Sequence, residues 1–152
     1  MIELQGAGYS YGRDALLRGL DLTLAPGSFH FLTGPSGAGK TTLLKLCYGD
    51  FRPTEGVVGI LGRDSRSLDR DGLASLRRRI GVVHQDCQFL DHLSVVDNVA
   101  LPMMVSGTDT PDRREELLQL LAWVGLGHRV EARPPELSGG ERQRAALARA
   151  VI

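Results

Sequence analysis

The chain has 152 residues, 42% apolar and 24% charged, with 18 basic and 18 acidic side chains and a formal net charge of zero. That is the composition of one ordinary globular domain with enough apolar surface for a core, and it excludes both a disordered chain and a basic, non-specific nucleic-acid binder. Cys47 and Cys87 form no CxxC pair and no disulfide framework, no apolar run approaches the ~20 residues of a membrane span, and no basic-then-apolar leader is visible, so a reducing cytosol is expected, with any membrane association through a partner.

In chain order, IEL at 2–4 and LDLTL at 20–24 alternate as half-buried strands do. Ala25, Pro26 and Gly27 make a turn, and FHFLT at 29–33 is apolar enough for a buried strand. Residues 40–48 read as a helix stopped by Gly49, with Pro53 preventing its resumption. VVGIL at 57–61 reads as a strand, LASLRRRI at 73–80 as a helix and GVVH at 81–84 as a short strand. Arg77, Arg78 and Arg79 have Asp69 and Asp71 close by and read as a solvated face. VVDNVALPMMV at 95–105 keeps a helical stripe despite Pro102. Thr110 is a plausible N-cap before Pro111, and Leu117, Leu121 and Val124 make one apolar helix face. Residues 93–130 therefore read as a helical insert between α/β elements, and the alternation elsewhere predicts a parallel sheet with helices packed on it.

Residues 34–41, GPSGAGKT, match G-x-x-x-x-G-K-[ST] at Gly34, Gly39, Lys40 and Thr41, after an apolar run and before a helix. A polyphosphate needs convergent N–H donors, and side chains would keep the backbone from wrapping it. Glycine at 34, 37 and 39 removes them and permits positive φ. Together with Pro35, Ser36 and Ala38, these residues can form an anion nest at a helix N-terminus. Lys40 adds a mobile point charge for the β and γ phosphates, and the hydroxyl of Thr41, followed by Thr42, can ligate Mg²⁺. Lys40 is one of only two lysines; the other is Lys45, and the remaining sixteen cations are arginine. The competing reading is a Gly-rich turn into a capped helix.

Residues 137–144 read LSGGERQR, before the Ala-rich helix 141–152. Ser138 and Glu141 satisfy a capping box, which is one explanation of the motif. A cap does not require Gly139 and Gly140, each costing about 1 kcal/mol of helix stability relative to alanine. Bare backbone there suits the approach of a phosphate.

GPSGAGKT and LSGGE, about a hundred residues apart with a helical insert between, resemble the nucleotide-binding subunits of ABC ATPases. The resemblance implies an α/β fold: a P-loop NTPase (RecA-like) core with an N-terminal antiparallel β part and a helical insert. It divides residues 1–152 into a β part and P-loop core at 1–85, a helical subdomain at 86–136 and the signature motif and helix at 137–152. It implies ATP and Mg²⁺ as ligands, with Ser138, Gly139, Gly140 and Glu141 sealing the nucleotide of a second copy in a head-to-tail homodimer. Gln85 matches the family's switch glutamine, which senses Mg²⁺ and the attacking water; with Lys40 it is the candidate catalytic group, and with Thr41 the candidate metal contact. Tyr11 matches the adenine-stacking aromatic, and could equally belong to the core. GSFHFLTGPSGAGKTTLLKL, VVHQD and DHLSVVDNVALPM are similar to the cell-division (FtsE) branch. That branch implies an integral membrane partner of the FtsX type and a peripheral place on the inner face of the plasma membrane. Lipoprotein-release and macrolide-export ATPases share much of that wording. His84 departs from the phenylalanine frequent at its position in this branch.

The family's next elements are an apolar strand ending in Asp-Glu (Walker B) and a switch histidine. No such strand occurs in residues 1–152, and His30, His84, His92 and His128 all precede the signature helix. The expectation is an N-terminal part of a longer protein, truncated before the Walker B strand. As it stands it would bind nucleotide without hydrolysing it, with an incomplete core. Non-hydrolysing regulatory modules are the reading from another class. Two smaller alternatives remain. His84, Cys87 and His92, with Asp86 and Asp91, have spacings that could hold zinc, although structural zinc sites are usually richer in cysteine. Met103 and Met104 are either packing residues or the lining of a groove for a membrane partner's helix.

Overall fold

The alternation at IEL and LDLTL belongs to a hairpin longer than either stretch: β1 (Ile2–Tyr11) turns through Gly12 and Arg13 into β2 (Asp14–Leu24). A computed structural model describes residues 1–152 as two compact units, Met1–Arg79 and Ile80–Ile152.

In the first unit α1 (Lys40–Cys47), β3 (Glu55–Ile60), the two-residue β4 (Arg63–Asp64) and α2 (Arg70–Arg77) follow the hairpin. The sheet order is β2-β1-β3-β4 and every pairing is antiparallel, with Ile2 opposite both Leu24 and Ile60. One face of β1 and β3 supplies Leu4, Ala7, Val58 and Ile60 to a core completed by Leu46 of α1 and Leu73 and Leu76 of α2. Asp69 caps α2, and Arg77 in its last turn donates to the carbonyl of Gly49, just past α1.

The second unit is helical: α3 (Val95–Ser106), α4 (Pro111–Trp123), two single 3₁₀ turns at Gly127–Arg129 and Pro134–Glu136, and α5 (Gly139–Val151). Ser94, Thr110 and Ser138 cap the three helices, and Pro111 takes the first helical position of α4. Val95, Val99, Ala100, Met103, Leu117, Leu121, Leu126, Leu137, Ala145 and Ala148 form one core. The alanines let α5 approach α3 closely, and Gly81 lies closer still: a Cβ there would stand 2.0 Å from the Ala150 carbonyl oxygen.

Two predicted strands are absent. Residues 29–33 and 81–84 have no strand partner, and Phe29 and Phe31 are 82% and 83% exposed. A buried parallel strand takes hydrogen bonds from neighbours on both edges, and the four antiparallel strands provide none for these segments. The sheet is accordingly antiparallel, not the parallel one that the alternation of elements suggested. Phe29 and Phe31 instead pack edge to face on each other, 4.9 Å between centroids. α2 runs three residues earlier than its predicted span, and α5 begins at Gly139 because the Ser138 cap recruits both glycines into its first turn.

Candidate functional site

The loop before α1 lies in the first unit. Gly34, Gly37 and Gly39 have φ of 150°, 81° and 87°, the left-handed region where side chains are strained. Ala38 N–H donates to the Pro35 carbonyl at 3.3 Å, closing the loop's turn. Pro35, Ser36, Ala38 and Thr41 are exposed. Lys40 folds back over the loop, its Nζ donating to the carbonyls of Gly34 at 2.8 Å and Pro35 at 2.7 Å. Every other α-helix has a side-chain N-cap: Asp69, Ser94, Thr110 or Ser138. Gly39 gives α1 none, so the first N–H groups of α1 have neither an intrahelical acceptor nor a capping oxygen. Uncapped amides, a positive helix end and an ammonium in one exposed loop fit a polyphosphate.

Tyr11, at the end of β1, is about half exposed, with its hydroxyl 3.4 Å from Oγ1 of the buried Thr42. Its ring meets Tyr9 and Phe51 edge-on, at 5.0 and 5.9 Å, while Tyr9 and Phe51 stack at 4.7 Å. Tyr11 thus belongs to an aromatic cluster and is still accessible. Phe51 was not expected there; it also lies under Nζ of Lys45, at 4.6 Å, which pairs with Asp50 as well.

The other candidates lie in the second unit. Gln85 and Asp86 occupy the corners of a turn closed by Cys87 N–H to the His84 carbonyl at 3.1 Å, and Gln85 is exposed. Beyond the turn, Asn98 is fully buried and ties down residues 90–94. Its Oδ1 accepts from Leu90 N–H at 2.8 Å, and its Nδ2 donates to the carbonyls of Leu90, Leu93 and Ser94. A lone amide inside the apolar run VVDNVAL was the available signal for that role.

Ser138 and Glu141 form the full capping box. Ser138 N–H and Oγ donate to Glu141 Oε2 at 2.8 and 2.7 Å, and Arg129 Nε donates to Oε1 at 3.3 Å. The Ser138 donors, then Arg129, hold the Glu141 carboxyl down at about 2. A Cβ on Gly139 would meet nothing within 4 Å, so packing within the chain does not require glycine there. No group of three or more His, Cys, Asp or Glu side chains is placed to hold a metal ion, so the zinc spacing around Cys87 forms no cluster. Met103 is buried in the helical core and Met104 is half exposed. No helix is long and apolar enough to cross a membrane.

A protein-family model described as ABC transporter matches residues 17–152. The chain belongs to the ABC transporter family. The lipoprotein-releasing system ATP-binding protein LolD of Xanthomonas campestris pv. campestris is 45% identical over 153 residues, spanning 99% of this chain and 64% of LolD. The cell division ATP-binding protein FtsE of Haemophilus influenzae is 42% identical over 136 residues, covering 90% of this chain and 62% of the relative. FtsE of Bacillus subtilis is 37% identical over 153 residues, covering 100% of this chain and 67% of its own. The chain thus spans somewhat under two thirds of the LolD it matches, and the relatives include both branches, not cell division alone. Among solved structures, a dimer of the ATP-binding cassette MJ0796 in a post-hydrolysis state with ADP and Pi superposes with a TM-score of 0.89 at 33% identity, over 99% of this chain and 69% of that one. A second dimeric MJ0796 structure gives 0.88. The ABC ATPase P-loop fold, α/β with an antiparallel N-terminal part, follows from these matches.

Proposed function

We propose that residues 34–42 grip the polyphosphate of ATP together with Mg²⁺, and that the chain is the nucleotide-binding part of a membrane-associated ABC complex. The observation that carries this reading is the start of α1, the one α-helix without a side-chain cap, preceded by three glycines at positive φ and carrying Lys40 over the loop. In this reading Lys40 exchanges its loop carbonyls for the β and γ phosphates, Thr41 ligates Mg²⁺, and Tyr11 offers its accessible ring to the adenine. Gln85, exposed at the corner of its turn, contacts Mg²⁺ and orients water. Mg²⁺ supplies charge neutralisation along the phosphates. Ser138, Gly139 and Gly140 close on the phosphates held by a second copy, head to tail, and Glu141 orders that turn. The open space at Gly139 supports an external ligand, and the dimers of MJ0796 support pairing of two cassettes.

Hydrolysis is assigned to no strand of this chain, so the enzymatic ATPase reading belongs to a protein of the relatives' length. The partner is an integral membrane protein, of the FtsX type in the cell-division reading. The LolD matches favour a lipoprotein-releasing complex as the second reading. Either places the chain on the inner face of the plasma membrane through that partner, and co-purification with each membrane protein separates the two.

Titration of a fluorescent ATP analogue with Mg²⁺ into the chain tests the grip. Saturable binding is expected, roughly tenfold or more weaker in Lys40→Ala, which is about 1.4 kcal/mol or more. No saturable uptake at millimolar ligand, or an unchanged affinity in the variant, overturns it.

A further inference from the structure

Arg149, near the end of α5, pairs with no carboxylate. Its Nη1 donates to the Gln88 carbonyl at 2.9 Å and its Nη2 to the Cys87 carbonyl. Its guanidinium carbon lies 4.7 Å from the centre of the Phe89 ring, and that of Arg142, one face along the same helix, lies 5.7 Å from it. Three successive residues, from the closing residue of the Gln85 turn onward, are thus held by arginines of one helix.

The backbone they hold is unusual. Cys87 and Gln88 have φ of 58° and 43°, consecutive non-glycine residues in the left-handed region. Side chains disfavour that region, and it persists where surroundings impose it. Within the turn Cys87 N–H donates to the His84 carbonyl and Gln88 N–H to the Asp86 carbonyl, the second across two residues. The left-handed pair presents two adjacent carbonyls to one planar fork of donors, which a lysine cannot match. Cys87 is buried, while Gln85 and Asp86 at the corners remain exposed. On its far side the segment is bolted by Asn98, from Leu90 to Ser94.

We propose that Arg149 is a positioning residue that holds the Gln85 turn in its left-handed form against the signature helix, so that the placement of Gln85 is set by α5. Ser138 caps the start of that helix, and Arg149 stands eleven residues on, about 16 Å along a rigid rod. The two motifs are therefore ends of one lever: displacement of the LSGGE end reaches the carbonyls of Cys87 and Gln88 through covalent helix and two hydrogen bonds. The meaning of this lever for nucleotide rests on the proposed function; the clamp does not.

The test uses the whole chain without nucleotide. Hydrogen exchange and Cα chemical shifts are followed at residues 85–90 in the wild type, Arg149→Lys and Arg149→Met, with the peptides of α3 and α4 as internal controls. Arg149→Met is expected to speed exchange at 85–90 about fivefold or more and move the Cys87 and Gln88 shifts away from left-handed values, leaving α3 and α4 unchanged; Arg149→Lys falls between. The decisive arm adds Cys87→Gly with Gln88→Gly. Glycine takes positive φ unaided, so in that background Arg149→Met is expected to lose most of its local effect, and the background also keeps the comparison open if Arg149→Met alone unfolds. Unchanged exchange at 85–90, equal acceleration throughout residues 80–152, or no rescue by the glycines overturns the proposal. Failure to bind ATP would overturn the proposed function and leave this result standing.

Discussion

Glu141 joins two structures through one carboxylate. It completes the cap of α5 through Ser138 and receives Arg129 from the 3₁₀ turn at Gly127–Arg129, at the positive end of a helix dipole. Its folded value of about 2 lies below the ordinary 4.5, so the stabilisation it brings is complete above that ordinary value and is lost as pH falls toward about 2. Thermal unfolding between pH 5 and pH 2 should therefore show an acid-dependent loss that Glu141→Gln reduces, because the amide keeps an acceptor for Ser138 and carries no charge to titrate; the remainder includes Asp109, which Arg114 also holds below the usual carboxylate range. An unchanged acid dependence in that variant would place the loss elsewhere. The same carboxylate occupies the Ser138 hydroxyl, so a phosphate arriving at the signature must take that donor from Glu141.

At the scale of elements, α4 and α5 lie close to their predicted places, α5 starting two residues early, because each has a start signal chemistry can read: Thr110 and Pro111 for α4, Ser138 and Glu141 for α5. The loop before α1 was legible for the same reason, since the pattern of glycines, lysine and threonine is itself the local structure. The strands at 29–33 and 81–84 were misread because hydrophobicity reports a wish for burial, while a strand also needs a neighbour, and pairing is not written in the segment itself. The β1–β2 turn and the two-residue β4 lacked alternation long enough to detect. Asn98 and Arg149 were missed because their targets are backbone carbonyls of distant residues, which carry no sequence mark. Asn98 makes a sharp prediction. Asn98→Ala leaves Leu90 N–H and the Leu93 carbonyl without their partner, while the Leu90 and Ser94 carbonyls keep backbone donors from Leu93 and from residue 98, and should cost about 2–4 kcal/mol of unfolding free energy. Asn98→Asp should do no better, because three of the four contacts need a donor. Urea denaturation followed by circular dichroism measures both.

At the scale of the whole molecule, apolar surface is unevenly covered. Phe29 and Phe31 stand in water beside the loop that carries the candidate phosphate grip, packed edge to face on each other. Exposed aromatics in sequence favour association. Phe29→Ser with Phe31→Ser should lower the binding of an apolar fluorescent dye by about half or more and reduce self-association measured by light scattering. Unchanged dye binding would assign that surface to other residues. The cysteines divide the molecule differently. Cys47, the last residue of α1, is buried in the first unit, where burial pushes its thiol up to about 11, and Cys87 is buried in the second. Alkylating reagents attack thiolates that solvent can reach, so each sulfur is silent until its own surroundings open. Quantifying adducts at the two positions by mass spectrometry would give a separate clock for each half of the polypeptide, with no residue replaced.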